Sequence, residues 1–117
     1  MNLNKLLLIY KKAKAEMGEK KFNKKVQGHN ISCGDEVTLF LDIDEKILKN
    51  ISFKGSGCAI GISSSYLLSK LLKGKPIDFI KKLSNENYLK LVDMEEVSKS
   101  RKNCVLTPFI ALKQGLE

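Results

Sequence analysis

Glu36-Val37-Thr38-Leu39-Phe40-Leu41-Asp42, then Asp44-Glu45-Lys46, then Ile47-Leu48-Lys49-Asn50-Ile51-Ser52-Phe53 is the stretch on which the fold turns. In the first segment Val37, Leu39 and Leu41 alternate with Thr38 and Asp42. In the last, Ile47, Lys49, Ile51 and Phe53 stand on one alternate row. Period two with β-branched and aromatic residues predicts strands over 36–42 and 47–53. The short polar link suits a hairpin. A hairpin returns its two ends to one side. Cys33, just before the first strand, and Cys58, just after the second, are therefore expected to be close in space, although 25 residues apart in sequence.

Outward from the hairpin the period changes. Leu3, Leu6, Leu7 and Tyr10 recur at helical spacing, which predicts a helix over 3–16 with Gly18 as its stop. Residues 19–32 are polar and lysine-rich and read as a loop leading to Cys33. Ile62, Tyr66, Leu67 and Leu71 predict a helix over 62–73, with Ser63, Ser64 and Ser65 as caps rather than catalytic groups. Pro76 suits the first turn of a helix over 77–83. Residues 86–98 read as mostly helical. A last helix is expected over about 104–115; Pro108 is tolerable there only if that helix starts close to Cys104 or later. Neither an internal repeat nor a domain boundary is visible, so residues 1–117 are expected to form one domain.

The 117 residues suffice for a core without staples, and 43% of them are hydrophobic. No apolar run approaches the roughly 18 residues a membrane span needs, so no membrane association is expected. The apolar start precedes Lys11-Lys12-Ala13-Lys14, the wrong order for a secretion signal. Three cysteines without such a signal argue against a disulfide framework and for a reducing cytoplasm. The formal net charge of +8 raises the question of nucleic acid. The lysines are scattered, aromatics are few and Arg101 is the only arginine, which argues against it. The charge favours an acidic protein partner.

The cysteines stand in three local settings: Ser32-Cys33-Gly34-Asp35, Gly55-Ser56-Gly57-Cys58-Ala59-Ile60, and Arg101-Lys102-Asn103-Cys104. Helix N-termini stabilise thiolates; Cys58 precedes a predicted helix and Cys104 begins one. Arg101 would place its charge near Cys104. In an extended segment Cys33 and Asp35 face the same way. Three thiolates and one carboxylate make four ligands, enough for a tetrahedral zinc or an iron site. No Cys-x-x-Cys pair is present, so spacing alone leaves three unrelated buried thiols as the competing reading.

Cys33-Gly34-Asp35, then Gly57-Cys58-Ala59-Ile60 with serines after it, then Cys104 before the C-terminal segment, resembles the U-type iron–sulfur assembly proteins: the IscU, SufU and NifU N-terminal families. The resemblance covers about residues 3–115. Gly57-Cys58-Ala59-Ile60 and Arg101-x-x-Cys104 are similar to the SufU branch. The short interval from Cys58 to Cys104 is closer to IscU. Where most IscU proteins have a histidine before the third cysteine, this chain has Asn103. The usual Asn-Pro-x-Cys is here Asn30-Ile31-Ser32-Cys33, without the proline.

The resemblance implies an α+β fold, a small antiparallel sheet of about three strands covered by helices, of the SufE/NifU-like kind. It implies either a scaffold for a nascent [2Fe-2S] cluster or a sulfur acceptor with a zinc held by Cys33, Asp35, Cys58 and Cys104. In both roles sulfur comes from a cysteine desulfurase, and clusters pass to cluster-accepting apoproteins. Asp35 matches the aspartate that keeps the cluster labile. Cys104, with Arg101 beside it, is expected to be the sulfur acceptor, which makes the chain a sulfur carrier rather than a stand-alone enzyme. His29, the only histidine, reads as a solvated residue, with a stand-in ligand as the alternative. Two rival readings are a stand-alone cysteine-nucleophile enzyme, which needs a base near the thiol, and a metal-free module that docks on a desulfurase.

Overall fold

The computed structural model describes residues 1–30 and 34–117; Ile31, Ser32 and Cys33 lie outside the described residues. The elements run α1 (Leu3–Glu16), β1 (Lys24–Asn30), β2 (Asp35–Asp44), β3 (Ile47–Ser56), α2 (Ala59–Leu72), α3 (Ile77–Lys82), α4 (Asn85–Leu91) and α5 (Lys99–Gly115). The strands form one antiparallel sheet in the order β1-β2-β3, the α+β class expected.

The hairpin β2–β3 forms where the alternation predicts it. Glu45 and Lys46 take φ of 50° and 65° between the paired Asp44 and Ile47, the backbone of a primed two-residue turn. Val37, Leu39 and Leu41 of β2 turn one way and are buried under the helices, in a core shared with Phe53, Leu68, Val105, Phe109 and Leu112. Phe40 faces the other side and is also fully buried. Residues 17–23 cover it. Gly18 N donates to Phe53 O at 2.8 Å, Asn23 N to Leu41 O at 2.8 Å, and the Phe22 ring lies 5.2 Å from that of Phe40. This strap therefore crosses the sheet from β3 to β1. Together with it, Gly74 N, which donates to Leu48 O, and Lys75 O, which accepts from Leu48 N, cover the outer edge of β3.

Three expectations are corrected. The lysine-rich segment read as a loop contains β1, because its alternate residues have a partner surface. Val26, Gly28 and Asn30 face α5, and a Cβ on Gly28 would stand 2.8 Å from Ala111 Cβ, so the helix approaches the strand backbone directly. The helix read over 86–98 ends at Leu91; Asp93 has a φ of 59°, and turns follow. The last helix begins at Lys99, not near Cys104, so Pro108 lies in its interior. Pro108 cannot supply the N–H that helix geometry offers to the Cys104 carbonyl.

Candidate metal and sulfur site

Register builds the site. Asn30 pairs with Asp35 and His29 with Glu36 at the end of the β1–β2 ladder. Alternation turns the first pair inward toward α2 and α5 and the second outward. Asp35 is buried. The β3 strand then delivers Gly57 and Cys58 beside it. Cys58 N donates to Asp35 Oδ1 at 2.8 Å, and Cys58 Sγ stands 3.5 Å from Asp35 Oδ2.

Cys58 is the N-cap of α2. Its side chain accepts from Gly61 N at 3.4 Å, so the sulfur sits where a helix presents unsatisfied N–H groups and the positive end of its dipole. Gly57 adopts φ 131°, and a Cβ there would collide with Asp35 Oδ1. A Cβ on Gly61 would stand 3.0 Å from Asp35 Oδ2. The carboxylate thus lies in a cradle that only side-chain-free residues leave open.

The third member comes from α5. A ligand atom from each of Asp35, Cys58 and Cys104 lies within 4.8 Å of the other two. Cys104 is 2% exposed, and Cys58 is half-buried. Asn30 Nδ2 approaches Cys104 Sγ at 3.7 Å, and the sulfur lies 3.9 Å from Ser100 O. Two thiol sulfurs and one carboxylate form a soft donor set with one hard member. Such a set fits zinc or an iron–sulfur core, and its ligand atoms are close enough for one ion to touch all three.

The structure brings together three of the four expected ligands; Cys33 lies outside the described residues. Cys104 does not begin its helix. It stands in the second turn of α5, so the expected stabilisation by a helix N-terminus belongs to Cys58 alone. Arg101 is exposed, one turn before Cys104. His29 sits on β1 rather than in a loop, its Nδ1 3.8 Å from Glu36 Oε1. The serines do not cap α2 as expected: the helix starts at Ala59 with Cys58 as its cap, and Ser63, Ser64 and Ser65 are buried inside it. Ser64 Oγ donates to Val105 O and pairs with the Tyr88 hydroxyl, and Ser65 Oγ donates to Gly61 O. Sequence reasoning missed Asn30 as a neighbour of Cys104, because it lies in the segment read as a loop.

Residues 4–117 match the family model described as the NifU-like N terminal domain. Among similar proteins, one from Thermotoga maritima named an iron-sulfur cluster assembly scaffold protein IscU is 38% identical over 60 residues, 51% of this chain and 42% of that protein. One from Bacillus subtilis named a zinc-dependent sulfurtransferase SufU is 27% identical over 107 residues, 78% of this chain and 73% of that protein. The match thus spans less than half of the Thermotoga maritima relative's length. A crystal structure from Fervidobacterium islandicum, titled a putative iron-sulfur cluster assembly scaffold protein for the SUF system, superposes with a TM-score of 0.78 at 26% identity. It covers 96% of this chain and 94% of its own. A NifU-like N-terminal structure from Brucella abortus shares the fold, with a TM-score of 0.72 at 17% identity over 92% of this chain and 88% of its own.

Proposed function

This chain belongs to the NifU-like N-terminal domain family, and from that premise we propose that it is an iron–sulfur assembly protein that receives persulfide sulfur from a cysteine desulfurase. The observation that carries this reading is the convergence of Asp35, Cys58 and Cys104 within 4.8 Å inside a glycine cradle. Cys33 is proposed as the fourth ligand. A bound zinc would hold the thiols as thiolates and keep them in register. A nascent [2Fe-2S] cluster would be cargo, passed on to acceptor apoproteins. The proposed setting is the cytoplasm, with residues 1–117 acting as one assembly domain.

The chain's own residues do the following. Asp35 is anchored through Oδ1 by the Cys58 N–H, which leaves Oδ2 toward the Cys58 sulfur. A carboxylate oxygen binds soft cores less firmly than a thiolate, so Asp35 is the ligand suited to release. Gly61 N–H steadies the Cys58 sulfur. Cys104 is the proposed acceptor. Its thiolate attacks the outer sulfur of a donor Cys–S–SH; the donor S–S bond breaks as the new one forms, and the donor leaves as thiolate while Cys104 carries the S–SH. Electrons and protons balance without an added oxidant. Arg101, exposed one turn earlier on α5, is proposed to attract the incoming persulfide anion. A stand-alone nucleophile would need a base. His29, the one histidine, pairs with Glu36 on the opposite face of β1 from Asn30.

Elemental analysis and desulfurase stimulation test the reading together. We expect about one zinc or iron per chain, lost in Cys58→Ala. We expect cysteine desulfurase turnover to rise when the chain is added, and Cys104→Ser to abolish the rise. A folded, metal-free native protein rejects the metal site. Equal stimulation by Cys104→Ser rejects the acceptor assignment.

A further inference from the structure

The outer edge of β1 carries a groove whose far wall is α5. Gln27, His29 and Asn30 line it from the strand, and Asn103, Ile110 and Gln114 from the helix. The chain has 21 lysines and arginines and 13 acidic residues, yet among the described residues none of them lines this groove, and His29 is its one ionisable side chain. Four of its side chains are carboxamides. A carboxamide pairs a donor and an acceptor in the geometry of a peptide unit. Ile110, 41% exposed, supplies apolar surface between them.

The strand beside the groove has an edge that can still pair. Among the described residues β1 pairs only with β2, whereas the outer edge of β3 is covered by Gly18 at one end and by Gly74 and Lys75 at the other. Exposed edges are normally blunted by charge. Lys24 and Lys25 do this for the first part of β1, but Gln27–Asn30 carries no lysine, and its one ionisable residue, His29, is turned to Glu36. The unguarded part ends at Asn30, whose carboxamide lies against the buried Cys104 sulfur.

We infer that an extended, uncharged segment of the sulfur donor adds as a strand to β1 between Gln27 and Asn30 and so brings its cysteine persulfide to Cys104. The inference rests on the reading of Cys104 as acceptor. Strand addition gives affinity through main-chain hydrogen bonds, and the carboxamides select a segment without charge. The Asn30 carboxamide, 3.7 Å from the Cys104 sulfur, sits at the end of the edge where the incoming strand would arrive. A second copy of the chain is a poorer occupant: it would bring another +8 and another Lys24-Lys25 pair to the same edge.

Amide hydrogen exchange of the full chain, alone and with a twofold excess of a cysteine desulfurase, tests this. The outward amides of Val26–Asn30 are expected to exchange at least tenfold more slowly in the complex. Ile110→Lys is expected to restore fast exchange and to slow sulfur transfer at least tenfold, with metal content and circular dichroism unchanged. A complex that leaves these amides unprotected, or transfer indifferent to Ile110→Lys, overturns the inference. Protection that grows with this chain's own concentration, without desulfurase, assigns the edge to a second copy and also overturns it. Protection without sulfur on Cys104 supports the groove and rejects the acceptor reading; transfer without protection does the reverse, and absence of binding rejects both.

Discussion

Ser63 and Ser64 are neighbours in α2 and both fully buried, yet their hydroxyls stand in opposite situations. Ser63 Oγ has no hydrogen-bond partner among the described residues. Ser64 Oγ joins Val105 O of α5 at 2.6 Å and the Tyr88 hydroxyl of α4 at 2.8 Å. Removing an unsatisfied buried hydroxyl costs little or stabilises, while removing a satisfied one strands its partners, at about 1–3 kcal/mol. Urea unfolding is expected to show Ser64→Ala destabilised by that amount and Ser63→Ala at or above the parent. Tyr88 carries a pH signature. Burial raises its hydroxyl well above the ordinary 10.0, and the hydrogen bond it shares with Ser64 only partly offsets this. Below pH about 10 both states hold the proton; above it the unfolded chain sheds the proton that the folded chain keeps, so stability falls as pH climbs. Between pH of about 9.5 and 11, the parent's urea midpoint should drop more steeply than that of Tyr88→Phe. At the site itself, Gly57→Ala places a Cβ against Asp35 Oδ1 at φ 131°. Its metal content, by elemental analysis, is expected to fall well below that of the parent.

At the scale of elements, the hairpin was legible because both of its signals are local: alternation in Val37, Leu39 and Leu41, and the short polar link Asp44-Glu45-Lys46. The α1 helix was legible in its extent, but not in its buried face, which is Ile9 and Ala13 while Leu3 and Leu7 are exposed. β1 was not, because its inward row is Val26, Gly28 and Asn30, and neither glycine nor asparagine marks a strand. What makes it one is α5, which packs onto Gly28 with no side chain between. Gly28→Val would force Ala111 and the Thr107 carbonyl away, and overpacking of this kind costs about 1–3 kcal/mol. We expect a matching loss in urea unfolding and a weakened contact between Asn30 and Cys104, read as faster alkylation of Cys104. The start of α5 was misplaced for a related reason. Pro108 reads as a boundary in sequence, but the burial of Val105, Leu106, Phe109 and Leu112 around it holds the helix through the proline. The site's chemistry was legible further than its shape. Asp35 and the cysteines stood out by type and flanking glycines, whereas the ladder position of Asn30 appears only once β1 has formed.

At the scale of the whole molecule, the site joins what the chain order separates: the start of β2, the cap of α2 and the second turn of α5. An ion bound there ties sheet to helices only in the folded state, so it stabilises by mass action, by about 2.7 kcal/mol at a hundredfold excess over Kd. Zinc is expected to raise the thermal midpoint by roughly 10 °C or more, and a chelator to reverse the shift, both read by circular dichroism at 222 nm. The strap of residues 17–23 has a different consequence. By crossing from β3 to β1 it leaves Gly18 capping the one edge and Asn23 standing at the head of the other. Among the described residues the sheet keeps one edge that can pair, and a chain occupying β1 would shut out any other from that edge. On the inferred docking mode, a donor that lingered on β1 would block that edge to any later partner that needs it.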